Sequence, residues 1–88
     1  MDASTFEFTI SVPREAQFVP MVRSLAVHAA RYAACAHADA EMFAVSVEAA
    51  VHACLRETSP HATISVVVRR DAGPLEFLID GRTIAVEP

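Results

Sequence analysis

Asp80-Gly81 lies between two short alternating runs, Leu75-Phe77-Ile79 before it and Thr83 to Val86 after it. A two-residue hairpin turn needs φ > 0 at its central positions, and Asp-Gly is among the pairs that tolerate this best. The chain must therefore double back here as an antiparallel pair. Upstream, Asp71-Ala72-Gly73-Pro74 is a second turn signal,. Before it, Ala62 to Arg69 alternates Ile64, Val66 and Val68 against Thr63, Ser65, Val67 and Arg69. Three strands in sequence follow from these patterns.

The first half of the chain reads differently. Thr5 to Val12 alternates Phe6, Phe8, Ile10 and Val12 with Thr5, Glu7, Thr9 and Ser11, a strand with one buried face that Pro13 ends,. A helix begins near Phe18–Pro20, since proline is accommodated in a first turn,. Val22, Leu25, Ala26, Ala29, Ala33 and Ala36 form its apolar stripe,. No glycine or proline interrupts the alanine-rich stretch that follows, and Asp39 is the expected N-cap of a second helix, Ala40 to Arg56,. There Phe43, Val47, Ala50, Val51 and Cys54 make the core stripe, with Glu41, Glu48, His52 and Arg56 on another side. Thr58-Ser59-Pro60 stops it,. The order β-α-α-β-β-β predicts an α+β, two-layer sandwich: a four-stranded, mostly antiparallel sheet with two helices on one face. Residues 1–88 are read as one domain, with Phe8, Ile10, Phe43, Val47, Val66 and Phe77 buried together.

Charge and cysteine content narrow the function classes. A net charge of −4 over 88 residues argues against non-specific nucleic-acid binding,. No apolar run approaches the ~20 residues that span a bilayer, and Met1-Asp2-Ala3-Ser4 has no basic leader character, so a cytoplasmic location is expected,. Cys35 falls at the expected turn between the helices and Cys54 about 16 residues along the second, some ~24 Å away at 1.5 Å per residue. A disulfide needs Cα atoms within about 7 Å, so both are read as buried small hydrophobes.

Glu48 and His52 lie four residues apart on one helix face,. Taken alone they are a solvated or partner-facing pair. In the setting of the whole stretch Phe43 to Ala53, the helix resembles the one that opens the ATP site of the GHKL superfamily, closest to the bacterial anti-sigma-factor serine kinases. The resemblance implies a partial histidine-kinase-like ATPase fold, with Glu48 at the position of the candidate general base and His52 where that family has an Mg²⁺-holding Asn. Imidazole suits Mg²⁺ poorly, because this hard cation prefers oxygen ligands. The family's second motif, Asp-x-Gly-x-Gly after a strand, would place Asp80 against the adenine. Here Asp80-Gly81-Arg82-Thr83-Ile84 puts Arg82 and Ile84 at both glycine positions, and the hairpin explains Asp80-Gly81 on its own. Nothing through Pro88 corresponds to the family's lid or second glycine-rich loop. The expectation is a domain with no cofactor and no working Mg-ATP site.

His28, His37, His52, His61, Cys35 and Cys54 have no metal-ligand spacing,. In the expected hairpin His28 falls opposite Glu48 and His52 opposite Ser24, about one turn apart but without a third ligand, so two separate solvated histidines are expected. The resemblance implies a protein-binding regulator of the anti-sigma type, a homodimer whose partner is a sigma factor or its antagonist, with no nucleic acid and no membrane. The first strand, and Met21 and Tyr32 of the first helix, are the expected dimer contact. The alternatives are a minimal ATP-binding kinase completed by a partner chain, and a structural or small-ligand module unrelated to signalling.

Overall fold

A computed structural model describes residues 5–88. The element order is β1 (Thr5–Pro13), α1 (Val19–Tyr32), α2 (His37–Arg56), β2 (Thr63–Asp71), β3 (Leu75–Ile79) and β4 (Arg82–Val86), with a single 3-10 turn at Ala16–Phe18 before α1. All strand pairs are antiparallel and the sheet order is β1-β2-β3-β4. The predicted β-α-α-β-β-β sandwich is therefore present.

The β3–β4 turn has φ 49° at Asp80 and 88° at Gly81, with Ile79 paired to Arg82. Both central residues have the positive φ that the dipeptide predicts. On the helix side of the sheet, Ile64, Val66, Val68, Leu75, Phe77 and Ile79 are buried beneath Phe43, Ala44, Val47, Val51 and Cys54 of α2 and Val22, Ala26, Ala29 and Ala30 of α1. Phe43 meets Phe77 edge to face at 5.2 Å between ring centroids, a favourable geometry for two aromatic quadrupoles,. No helix is long and apolar enough to cross a membrane among the described residues. Cys35 and Cys54 are free and buried.

Two expectations about the core and the helices need correction. Phe8 is 42% exposed and Ile10 only half-buried, so they are not in the centre of the core. Phe8 does face the helix side, opposite the buried Val68. However, the helical layer covers β1 only in part: Val12 is buried and Phe6 packs on Tyr32 of α1, while Phe8 stays exposed. The second correction is the helix break. Asp39 lies in the first turn of α2 and Ala36 is its N-cap, with no side-chain hydrogen bond. The break is made at the end of α1 instead.

Ala34 takes φ 65°, the Ala34 N–H donates to the Arg31 carbonyl, and the Cys35 N–H donates to the Ala30 carbonyl, each at 3.0 Å. This is the Schellman closure of a helix C-terminus, built on an alanine at the position usually held by glycine. An L-residue there is strained by roughly 1–2 kcal/mol, which glycine would relieve while adding chain entropy to the unfolded state. Ala34→Gly is expected to raise stability, by up to about 1 kcal/mol, as a higher urea midpoint at unchanged slope. A lower midpoint would contradict the strain at this position.

Candidate functional site

The chemistry-bearing residues separate into two places. The first is the seam between the helices. Glu48 is half-buried, and its carboxylate lies 3.6 Å from the Arg23 guanidinium of α1. His52, one turn further, is exposed. Because α1 ends at Tyr32 and not beyond Ala36, the pairing of the helices shifts from the expected one, and Arg23 rather than His28 faces Glu48. His28 then lies opposite the region of Phe43, roughly nine residues and ~13 Å along the axis from His52. The possible histidine pair is therefore separated. Among the described residues no three His, Cys, Asp or Glu side chains converge as a metal would require.

The second place is the C-terminal end of α2, where it meets the β3–β4 turn. Asp80 Oδ1 accepts the Ser65 N–H at 2.8 Å, and the Asp80 N–H donates to the Ser65 carbonyl at 2.9 Å. Ser65 is the residue next to the last β2–β3 pair, Val66 with Ile79. The Asp80 side chain thus replaces its own carbonyl in the ladder where the backbone swings into the turn. Asp80 Oδ2 accepts from Arg14 Nη1 at 3.2 Å. Arg14, 12% exposed in its side chain, also donates from Nη2 to the Cys54 carbonyl and to the Glu57 carbonyl at 3.5 Å. A cation bonding the last carbonyls of a helix satisfies groups that have no intrahelical donor and complements the negative end of the dipole. Arg82 closes the cluster, its Nη1 3.4 Å from Cys54 Sγ and its Nη2 against the Glu57 carboxylate.

Helix geometry keeps the two places apart. Cys54, which marks the cluster face of α2, lies six residues from Glu48, ~9 Å along the axis and roughly 120° around it. His52 points nearly opposite to Cys54, about 200° away. The structure therefore does not bring Glu48 and His52 together with Asp80. Both Asp80 carboxylate oxygens are already engaged by this chain's own donors. Arg82, at the first position where a nucleotide loop would have glycine, fills the space beside Cys54 with a guanidinium. Ile84, at the second, is half-buried against the core.

Arg14 had no signal in the sequence. It follows a strand-ending proline and its carboxylate partner is 66 residues away. The remaining cysteine chemistry is subdued. Burial pushes the Cys35 thiol up from its ordinary 9.0, against the opposing pull of Arg70, and a thiol held neutral is a poor nucleophile,. Two shallow grooves flank α2, one between it and β4 lined by Asp39, Met42, Ser46, Ala85 and Val86, the other on its outer surface at Glu41, Met42 and Val45. No family model, no curated protein and no solved structure matches this chain.

Proposed function

We propose that this chain is a cytoplasmic, protein-binding regulatory module of the anti-sigma-factor type, on a partial GHKL-like core that has lost ATP binding and kinase activity. The observation that carries the loss of nucleotide chemistry is the occupation of Asp80. A carboxylate that holds a ladder N–H on one oxygen and a guanidinium on the other is oriented by this chain's own donors. Turning it to an adenine amino group means giving up one of them, and displacing either donor leaves a polar group unpaired. The pairing of Glu48 with Arg23 supports the same reading, since the carboxylate is engaged by this chain's own guanidinium at 3.6 Å. Exposed His52 in place of a carboxamide supports it further. Protein binding is supported by the apolar side chains left on the surface, Phe8, Met21, Tyr32, Met42 and Val45,. The partner expected is a sigma factor or the antagonist that competes for it.

Calorimetry with Mg-ATP and Mg-ADP tests the loss of nucleotide chemistry. No saturable heat is expected up to about 1 mM nucleotide, and His52→Asn should not create any, because Asp80 and Arg82 remain as they are. A saturable site tighter than that, weakened by Glu48→Ala or Asp80→Ala, would promote the alternative of a minimal kinase completed by a partner chain. Partner binding is tested separately. Proteins captured from the native cell extract are identified, purified and titrated against this chain. A transcription-initiation factor or its regulator binding at micromolar affinity or better supports the proposal. Purified candidates of this kind that do not bind would leave the third reading, a structural or small-ligand module.

A further inference from the structure

We propose that the edge of β4 and the groove between it and α2 accept an extended segment of a partner protein as a fifth, antiparallel strand. The segment is a basic residue followed by alternating apolar side chains. The proposal rests on the protein-binding reading above and gives it a surface.

The β3–β4 turn sets which backbone groups of β4 are open. A two-residue turn is closed by a hydrogen-bonded pair, here Ile79 with Arg82, and bonded pairs alternate from there,. Arg82, Ile84 and Val86 therefore bond toward β3. Thr83 and Ala85 direct their N–H and C=O groups outward, and β4 is the last strand of the sheet. Edge strands that resist addition carry lysines, prolines or bulges. Thr83-Ile84-Ala85-Val86 has none of these and pairs with β3 in continuous register. Arg82, the one charge on the strand, is drawn back to Cys54 and Glu57.

α2 supplies an apolar ledge beside this edge. It packs on β3 and β4 and runs antiparallel to β4, with Cys54 beside Arg82 at one end and Met42 beside Val86 at the other. Met42, Ser46, Ala49 and Ala53 share an arc of about 60° next to Phe43, on the side turned from the Glu48–Arg23 contact,. None of the four is charged, and Met42 is 70% exposed. A surface helix ordinarily carries polar residues outside its core stripe. This uncharged strip instead borders the place of a fifth strand, ~4.8 Å beyond β4. Side chains opposite Ile84 and Val86 on that strand would point to the helix side and pack on Met42 and Ser46.

The charges around the groove select the occupant. Asp39 and Glu41 of α2 stand at the end where β4 finishes, and Glu87 follows Val86. Burial raises the Cys35 thiol, Arg70 opposes the rise, and Asp39 and Glu87 add to it, so both carboxylates lie near one buried sulfur. None of the three carboxylates has an ion-pair partner among the described residues. The cations at this end are engaged elsewhere: Arg70 donates to the Ala33 and Gly73 carbonyls, and Arg31 lies 3.5 Å from His37. A strand antiparallel to β4 begins here, so its first residue enters a negative field that attracts Lys or Arg and repels an acidic segment. The occupant reads basic, apolar, any, apolar, any, with the apolar residues opposite Val86 and Ile84. Main-chain bonds to Thr83 and Ala85 would hold it, as in other strand additions.

Selection of a phage-displayed library of random heptapeptides against the wild-type chain tests this. Enriched peptides should carry Lys or Arg ahead of two alternating apolar residues and bind, as synthetic peptides, with micromolar Kd. Bound peptide should slow hydrogen exchange at the Thr83 and Ala85 amides. Ala85→Pro removes an outward N–H and no β3–β4 bond. It should therefore keep the far-ultraviolet circular dichroism spectrum and lower affinity at least about tenfold. Met42→Glu should do the same, and Met21→Glu, on α1, should leave affinity unchanged. A library with no enrichment, acidic consensus peptides, or peptides bound equally by Ala85→Pro would overturn the proposal. So would a dimer that Ala85→Pro converts to a 9.5 kDa monomer, since a second copy would then fill the edge. A native partner captured equally by wild type and Ala85→Pro would remove this surface and leave the regulatory reading standing.

Discussion

Phe43→Ala should cost about 3–5 kcal/mol of folding stability, the usual range for truncating a buried phenylalanine. Phe43 is 3% exposed and lies at the centre of the contact between α2 and the sheet. Its ring fills the space over Phe77, which is fully buried and cannot shift to follow a shrinking neighbour. The edge-to-face pair is lost as well, worth about 0.5–1.5 kcal/mol beyond area. Alanine's better helix propensity returns only some tenths of a kcal/mol. In a domain whose whole stability is about 5–15 kcal/mol, the variant should have a much lower urea midpoint or be unfolded at 37 °C. Met42→Ala, one residue away but 70% exposed, is the control and should change stability by less than about 0.5 kcal/mol,. Equal effects for the two would mean that α2 presents a different face to the sheet.

The second large effect is expected at Asp80, and it separates a structural carboxylate from a ligand-binding one. Asp80→Ala removes the acceptor of the Ser65 N–H and the partner of Arg14, and places a residue ill-suited to φ 49° in the turn. Together these should cost about 1–3 kcal/mol. Asp80→Asn keeps an acceptor oxygen for the Ser65 N–H and a side chain that tolerates positive φ, but sets its NH2 donor against the Arg14 guanidinium, so the hydrogen bond and the charge opposite Arg14 are both lost,. Its cost should be smaller than that of alanine, about 1 kcal/mol. Chemical denaturation of the three proteins measures the contrast. An alanine variant as stable as the wild type would return Asp80 to the list of groups free to meet a ligand.

The parts of this fold that could be read from the sequence are those whose cause is local. Asp80-Gly81 dictates its own turn, and the alternation in β1, β2 and β3 assigns each residue to a face. Alternation does not say whether that face is covered, which is why Phe8 could be placed on the helix side but not known to stay exposed there. The end of α1 was hidden for a local reason of another kind. The closure at Ala34 uses a geometry that glycine normally announces, and alanine gives no sign of it. At the candidate site, the four-residue spacing of Glu48 and His52 was legible, as was the placement of Asp80 after a strand. Their failure to converge was not, because it depends on the rotation of α2 against the sheet. The role of Arg14 was equally out of reach, since it unites the end of β1, the last carbonyls of α2 and the β3–β4 turn, segments that are distant in sequence.

The register of β1 has a kinetic meaning. α1 packs on α2 across a four-residue turn, and β2, β3 and β4 form a meander, so most of the domain assembles from neighbours in sequence. β1 differs: its partners run from Pro13 with Thr63 to Thr5 with Asp71, so its docking closes a loop that contains both helices. The entropy of closing that loop is repaid only after the helices and the meander are already in place. β1 is therefore expected to be the last strand to dock and the first to detach, which hydrogen exchange of its amides against those of β3 would measure. During that interval the edge of β2, with Ile64, Val66 and Val68 beside it, is the segment most exposed to mispairing.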